Sequence, residues 1–135
     1  MILKLMLLNI NSNYDEINKL KENIIKVDKI ITTNNTSNIL FSYDYTNDKI
    51  VSFNYNIVLI SNNTNNIGTY NGNIIVKTNA NMLIYPPFKL SKYTENELYD
   101  TNISITIDEN KVYLNVIGLE NTEIEWNGLI TLIKI

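Results

Sequence analysis

The C-terminal stretch of the chain decides the fold class; residues 101–135 read TNISITIDENKVYLNVIGLENTEIEWNGLITLIKI. Isoleucine occupies every second position from 103 to 107, which is the period of a β-strand with one apolar face. A polar turn of hairpin length follows at 108–111, and valine and leucine then alternate with tyrosine and asparagine from 112 to 116. A third strand contains Trp126, the only tryptophan, facing inward. The stretch predicts three successive antiparallel strands, a meander with one buried face.

Four upstream segments show the same period of two and are also predicted strands. They span residues 39–45, 51–59, 70–78 and 82–85. Gly72 predicts a β-bulge, and Pro86 and Pro87 end the last of these strands because neither donates a backbone hydrogen bond. A long connection with one helical turn at 94–98 follows, suited to crossing between two sheets. Residues 33–135 are therefore predicted to form an all-β domain, an antiparallel sandwich or jelly-roll-like fold.

The C-terminal pattern also resembles the ending of many bacteriophage virion proteins, from tails, fibres and head decorations. Those proteins often close with a β-strand, Thr-Gly, a short loop and I-x-W-x-A-x-V. Here the strand VYLNVI at 112–117 leads to Gly118, a short turn, and Ile-Glu-Trp at 124–126. Ile117 stands in place of the threonine, and Asn127-Gly128 replaces the small residue after the tryptophan. The resemblance, which extends upstream to a strand, Asn-rich loop and Gly-x-Tyr pattern, implies a structural β-domain located in the virion and carries over no catalytic residue.

The N-terminal segment, residues 1–32, is predicted to be a short arm and a helix. The apolar run at 1–10 is either a first β-strand or an arm that adds to the sheet edge of another subunit. A helix is predicted from Ser12 or Asn13, with apolar residues spaced by three and four like a short heptad seam. It either packs on its own domain or associates with a second copy. The residues expected to serve docking or assembly are Ile2, Leu3, Leu5, Leu7, Ile17, Leu20 and Ile24.

Composition narrows the classes of partner and of chemistry. The net charge is −3 and all 11 basic residues are lysine, spread thinly, so no nucleic-acid partner is predicted. The apolar N-terminal run is too short and too interrupted to span a bilayer, so no membrane partner is predicted either. Asn and Ile dominate, with Lys and Tyr frequent, as expected of a very AT-rich gene. This bias is a property of the gene and is not evidence of function.

Few residues suit catalysis or metal binding. The chain has no His and no Cys, which excludes Ser-His and Cys-His pairs and thiolate zinc sites. Asp44, Asn47 and Asp48 do not match the spacing of an EF-hand loop and are predicted to be turn residues. Glu123 and Glu125 are interpreted as two solvated residues on a polar strand face and not as a glycosidase pair. We therefore predict no enzyme activity, no cofactor and no metal.

The nine tyrosines are the one feature that hints at a ligand. Four of them share the apolar phase of their strands and are predicted core residues: Tyr43, Tyr45, Tyr55 and Tyr70. The remaining candidates for a ligand-facing surface are Tyr85, Tyr93, Tyr99 and Tyr113. Aromatic rings stack on sugar faces, and Asn amides bond hydroxyls, so the ligand would be a host glycan. The function predicted first is a non-enzymatic, homo-oligomeric virion component that docks on other virion proteins; the alternative is a carbohydrate- or receptor-binding β-sandwich module.

Overall fold

The computed structural model describes residues 24–78, 82–84 and 91–135, and these form nine β-strands and one short 3-10 helix. The strands are β1 (Ile24–Thr32), β2 (Ser37–Asp44), β3 (Ile50–Ser61), β4 (Ile67–Lys77), β5 (Met82–Ile84), β6 (Ser91–Thr94), β7 (Asn102–Asp108), β8 (Lys111–Ile117) and β9 (Ile124–Lys134). The 3-10 helix spans Asn96–Asp100.

Two antiparallel sheets face each other, which confirms the predicted all-β sandwich. The large sheet has the order β1-β9-β3-β4-β5, with β6 also paired to β4, and the small sheet has the order β2-β8-β7. Aromatic and branched aliphatic side chains from the inner faces of both sheets fill the space between them. Tyr45, Tyr55 and Tyr70 are buried there as predicted, and Tyr43 is half-buried at the margin. Trp126 is fully buried and its ring stacks on that of Tyr70 with centroids 6.4 Å apart.

The predicted C-terminal meander is wrong in its last step, because β9 leaves the small sheet. β7 and β8 form the expected hairpin, but β9 lies in the large sheet between β1 and β3. Pairing length explains the choice: β9 has 11 residues and β3 has 12, whereas β8 has seven. Pairing with β3 satisfies the backbone of β9 along its whole length, which β8 could not do.

The predicted helix is also wrong over residues 24–32, which form strand β1 and pair with β9. This run is rich in β-branched residues, which favour strands over helices. The heptad-spaced positions do not share a face: Val27 is buried, whereas Ile24 and Ile31 are 47% and 50% exposed. A bulge between Val27 and Ile30 shifts the register of the strand, and Ile25 and Ile30 pack on the core. Val27 and Thr32 are buried while Ile24 is half exposed, so residues 24–32 belong to the sandwich.

The rest of the predicted N-terminal arm and helix lies outside the described residues. This applies to the assembly residues Ile2, Leu3, Leu5, Leu7, Ile17 and Leu20. Their proposed role in docking therefore stays a prediction.

Two further departures from the predicted strands have local causes. A register shift in β2 between Ile39 and Phe41 inserts Leu40 into the core and leaves Ile39 56% exposed, on the outer face of the small sheet. Gly72 makes no bulge; it pairs in continuous register with Tyr55. A Cβ at this glycine would lie 2.1 Å from the Tyr55 hydroxyl oxygen, so the glycine gives that ring its space.

The connection from β6 to β7 crosses from the large sheet to the small one, as predicted. The 3-10 helix within it buries Leu98 completely. The Tyr70 hydroxyl donates to the Thr101 carbonyl at 2.8 Å, and the Lys92 ammonium donates to the Tyr99 carbonyl at 2.7 Å. These bonds fix the crossing to the end of the large sheet. Within the described ranges, no helix has the length and apolar character needed to cross a bilayer.

Candidate functional site

A polar cleft of about 530 Å³ opens at one end of the sandwich, where the β2–β3 turn meets the C-terminal strand. Its lining residues are Tyr43, Asp44, Thr46, Asn47, Asp48 and Lys134. The cleft combines one aromatic ring, one amide, one hydroxyl, two carboxylates and one ammonium group. Such a set binds polar ligands through hydrogen bonds and offers one apolar ring face.

The turn at the cleft is held by Asp44, which was predicted to be a turn residue and is the last residue of β2. Its Oδ1 accepts the Thr46 backbone N–H at 2.9 Å and also the Thr46 hydroxyl, an Asx turn. The Thr46 hydroxyl and then its backbone amide hold the pKa of Asp44 below the usual value. The Asp48 N–H donates to the Tyr45 carbonyl at 3.0 Å and closes the turn. At neutral pH Asp44 is therefore a carboxylate engaged with its own loop.

Tyr43 and Asp48 form a second side-chain pair within the cleft, beside that of Thr46 and Asp44. The Tyr43 hydroxyl donates to Asp48 Oδ2 at 2.7 Å. Partial burial, together with this hydrogen bond and the negative charge of Asp48, raises the pKa of Tyr43 to about 12. The phenol therefore stays protonated near neutral pH, where it serves as a hydrogen-bond donor and a ring surface and not as a base.

The cleft rests on a rigid base formed by the neighbouring turns. The buried Tyr45 donates from its hydroxyl to the Glu109 carbonyl at 2.8 Å, and its N–H donates to the Asn110 carbonyl at 2.8 Å. The Thr78 hydroxyl contacts the carbonyls of Asp48 and Lys49, the latter at 2.7 Å. The cleft residues are therefore held by both sheets, which suits a preformed binding surface.

Acidic residues elsewhere do not assemble into a reactive group. Glu123 accepts the Asn62 amide at 2.7 Å, while Glu125 lies 3.7 Å from the Lys29 ammonium. Each thus has a partner of its own. No cluster of three or more metal-ligating acidic side chains occurs in the part of the chain that the structure describes.

The structure does not bring the described tyrosine candidates together. Tyr93 lies on the outer face of the large sheet and is 59% exposed, whereas Tyr113 lies on the outer face of the small sheet. Tyr99 is on the 3-10 helix, and its ring centroid is 5.1 Å from the Lys92 ammonium. Tyr85 lies outside the described residues. The described tyrosines therefore do not form a single aromatic platform.

A second surface, which the sequence analysis missed, is the outer face of the large sheet. We call it the open face. Its residues are Ser52, Asn54, Asn56 and Val58 on β3, Thr69, Asn71 and Asn73 on β4, Tyr93 on β6, and Asn127, Leu129 and Thr131 on β9. It contains an apolar groove of about 280 Å³ lined by Lys26, Asn56, Val58, Asn127, Gly128 and Leu129. Val58 and Leu129 are 50% and 42% exposed.

The signal for the open face was present in the sequence. Residues 50–76 contain no charged side chain, although the chain has 25 charged residues in 135. Polar strand positions that face solvent normally carry lysine and glutamate, and here they carry asparagine, serine and threonine. The first charged residues on either side are Lys49 and Lys77. The pattern is visible only when charge is compared strand by strand, because the composition of the whole chain averages it out.

Comparison with known proteins gives a likeness of fold. No protein-family model matches the chain, and no curated protein matches it. Among solved structures, it is similar to the tailspike protein of Acinetobacter baumannii phage AM24, with a TM-score of 0.51, 7% sequence identity, and coverage of 87% of this chain and 27% of that one. The tailspike protein of Acinetobacter phage vB_ApiP_P1 aligns with a TM-score of 0.45 and 10% identity over 80% of this chain and 21% of that chain. The chain thus spans well under two thirds of either tailspike. The first likeness shows a shared fold.

Proposed function

We propose that this protein is a non-enzymatic structural component of a bacteriophage virion, of the tail or fibre type, that docks on other virion proteins. The observation that carries the proposal is the fold it shares, over 87% of its length, with a phage tailspike. The resemblance of its strand, glycine and Ile-Glu-Trp ending to that of virion proteins supports the same conclusion independently.

The chemistry of the described side chains supports a role without catalysis. The chain has no His or Cys, the side chains most used for proton transfer and nucleophilic attack near neutral pH. In the cleft, Asp44 and Asp48 accept hydrogen bonds from their own loop, and the pKa of Tyr43 is raised to about 12. Asp44, whose pKa is lowered by its bonds from Thr46, and Tyr43, whose pKa is raised, do not make an acid–base pair that works near neutral pH.

Docking is proposed to involve the N-terminal segment. Ile24, the one assembly residue that the structure describes, is 47% exposed at the start of the edge strand β1. An edge strand offers unpaired backbone groups to another chain. We propose that this end of the sandwich, with the apolar residues before it, contacts other virion proteins or another copy.

Mass spectrometry of purified particles tests the proposal. We expect peptides of this chain at many copies per particle, retained after high-salt washing and enriched when tails are separated from heads. Peptides found only in the soluble fraction of infected cells, and absent from washed particles, would contradict a structural role. The major capsid protein of the same preparation serves as the internal standard for copy number.

A carbohydrate- or receptor-binding module is the second candidate, favoured by the polar cleft. Its ring, amide and carboxylates match the needs of a saccharide, which is recognised by stacking and by hydrogen bonds to hydroxyls. We expect binding of surface polysaccharide from the host to be weakened by Asn47→Ala and Tyr43→Ala. The matched control is Tyr113→Ala on the outer face of the small sheet. Equal loss in all three variants, or no binding by the unchanged protein, would exclude the cleft as a saccharide site.

A further inference from the structure

The open face of the large sheet lacks charge at its centre and carries charge at its margin. The hairpin of β3 and β4 contributes no charged side chain between Ile50 and Val76. Charged residues lie at its margin: Lys26 on β1, which also lines the β1 side of the apolar groove, Glu125 on β9, and Lys77 at the end of β4. An uncharged centre inside a charged rim is the composition that separates protein interfaces from ordinary surface.

The size of the open face matches that of a stable protein–protein interface. The open-face residues lie on β9, β3, β4 and the short β6, and at about 4.8 Å between strands and 3.3 Å per residue these strands cover roughly 600 Å². With β1 and β5 at the margins, the outer side of the large sheet covers roughly 800 Å². This is the area that each partner buries in an interface of standard size. Eleven-residue ladders join β3 to both neighbours without a register shift, so the face is continuous.

The open face has both a recess and a projecting aromatic side chain that could fill the same recess on a second copy. Its apolar groove lies between Val58 and Leu129, and the most exposed aromatic residue on the face is Tyr93. Tyr93 is opposite Thr69, and Thr69 is opposite Val58, so the ring and the groove are about two strand spacings, or 10 Å, apart. In a two-fold contact each copy presents the same patch, and a projecting side chain of one fills the recess of the other.

We propose that the open face binds a second copy of this chain, face to face, with Tyr93 of each copy entering the Val58–Leu129 groove of the other. Self-pairing fits because an uncharged centre meets an identical centre without like charges opposed. Sheets stack about 10 Å apart when their side chains interdigitate, which the alternating Asn and aliphatic residues of this face allow. The proposal goes beyond a virion role and concerns described residues only. Its test does not depend on whether the protein is found in particles.

Light scattering of the full chain after size exclusion, over a concentration series, tests the pairing. The unchanged protein is expected at twice the chain mass of 15.6 kDa. Val58→Lys buries a charge at the centre of the contact and should give a monomer. Ile39→Lys is the matched control, because Ile39 is 56% exposed on the outer face of the small sheet and should leave the pair intact. Matching far-ultraviolet circular dichroism spectra and a cooperative urea transition in each variant show that each is folded; the midpoint of the paired variant should be the higher one, because pairing stabilises the folded chain.

A second pair of variants tests the groove contact without adding charge. Tyr93→Ser should weaken self-association at least about tenfold, as the loss of a central aromatic anchor does. Tyr99→Ser, at a residue 72% exposed on the 3-10 helix, should leave it unchanged. A monomeric unchanged protein at every concentration, or an oligomer that Val58→Lys and Tyr93→Ser both leave intact, would overturn the proposal. Monomeric protein that binds a saccharide through Tyr93 would overturn it and assign the face to a glycan.

Discussion

The hydrogen bond between Thr32 and Trp126 gives the sharpest test of the fold, because it joins β1 to the core. The Trp126 indole N–H donates to Thr32 Oγ1 at 2.9 Å, and both residues are buried, at 0% and 3% exposure. Thr32→Val keeps the shape of the side chain and removes the acceptor. The indole N–H then loses its partner without regaining water, at a cost of about 1–3 kcal/mol. The free energy of unfolding of native proteins is about 5–15 kcal/mol in total, so this loss is readily measured.

Urea unfolding followed by far-ultraviolet circular dichroism measures the effect without relying on tryptophan fluorescence. Thr32→Ser retains the acceptor and should lose only about 1 kcal/mol or less, for one methyl group. In a Trp126→Phe background no donor remains, so Thr32→Val should become nearly neutral, a coupling of about 1 kcal/mol or more. If Thr32→Val and Thr32→Ser are equally stable, and the coupling vanishes, then β1 is not held to the core in this way. Trp126→Ala, which empties the largest buried site, should cost about 3–5 kcal/mol.

Two other predictions concern a close contact and a proton. Gly72→Ala should cost about 1–3 kcal/mol in urea unfolding, because its Cβ would lie 2.1 Å from the Tyr55 hydroxyl oxygen; Gly128→Ala, whose Cβ meets nothing nearer than 3.4 Å, is the control and should change stability little. Asp48→Asn should lower the pKa of Tyr43 from about 12 toward the ordinary 10.0, read by NMR titration of the ring. The folded state holds this proton more tightly, so its stabilising contribution is complete below pH 10 and is lost as the pH rises toward 12. An unchanged titration in Asp48→Asn would mean that burial and the charge of Asp44, and not Asp48, set the shift.

The sequence predicted the alternation of apolar and polar residues along single strands. It did not predict which strand pairs with which. The apolar phase of β3 placed Phe53, Tyr55 and Ile57 in the core, where all three are buried. A period of two says which face is apolar but not which neighbour a strand takes, and β9 left its hairpin neighbour for a longer partner. The heptad spacing of Ile24, Val27 and Ile31 does not correspond to one face of β1, because Ile24 and Ile31 are exposed and only Val27 is buried. Pairing and bulges are set by contacts distant in sequence, which local periodicity does not contain.

Among candidate sites, sequence reasoning identified residue types and not their placement. Asn47 and Asp48 lie between β2 and β3 as predicted, and Asp44 is the last residue of β2. That these three residues share one cleft with Tyr43 and Lys134 depends on the return of the C-terminal strand. Exclusion from the core predicts which tyrosines are exposed, but not the face on which each one lies. Tyr93 and Tyr113 lie on different faces, because the outer sides of the two sheets point in opposite directions.

The absence of charge on the open face is not explained by the composition of the gene. A bias toward AT-rich codons raises lysine along with asparagine, so it would place lysine on the polar positions of β3 and β4 as readily as asparagine. The overall density of charged residues would place five in a stretch as long as residues 50–76, and there are none. Sheets with exposed, uncharged, partly aliphatic faces tend to associate, and lysine is the usual protection against it. The β3–β4 hairpin has lysine at both ends and none within it, so its outer face lacks this protection against association. A surface used for pairing requires the same lack of charge.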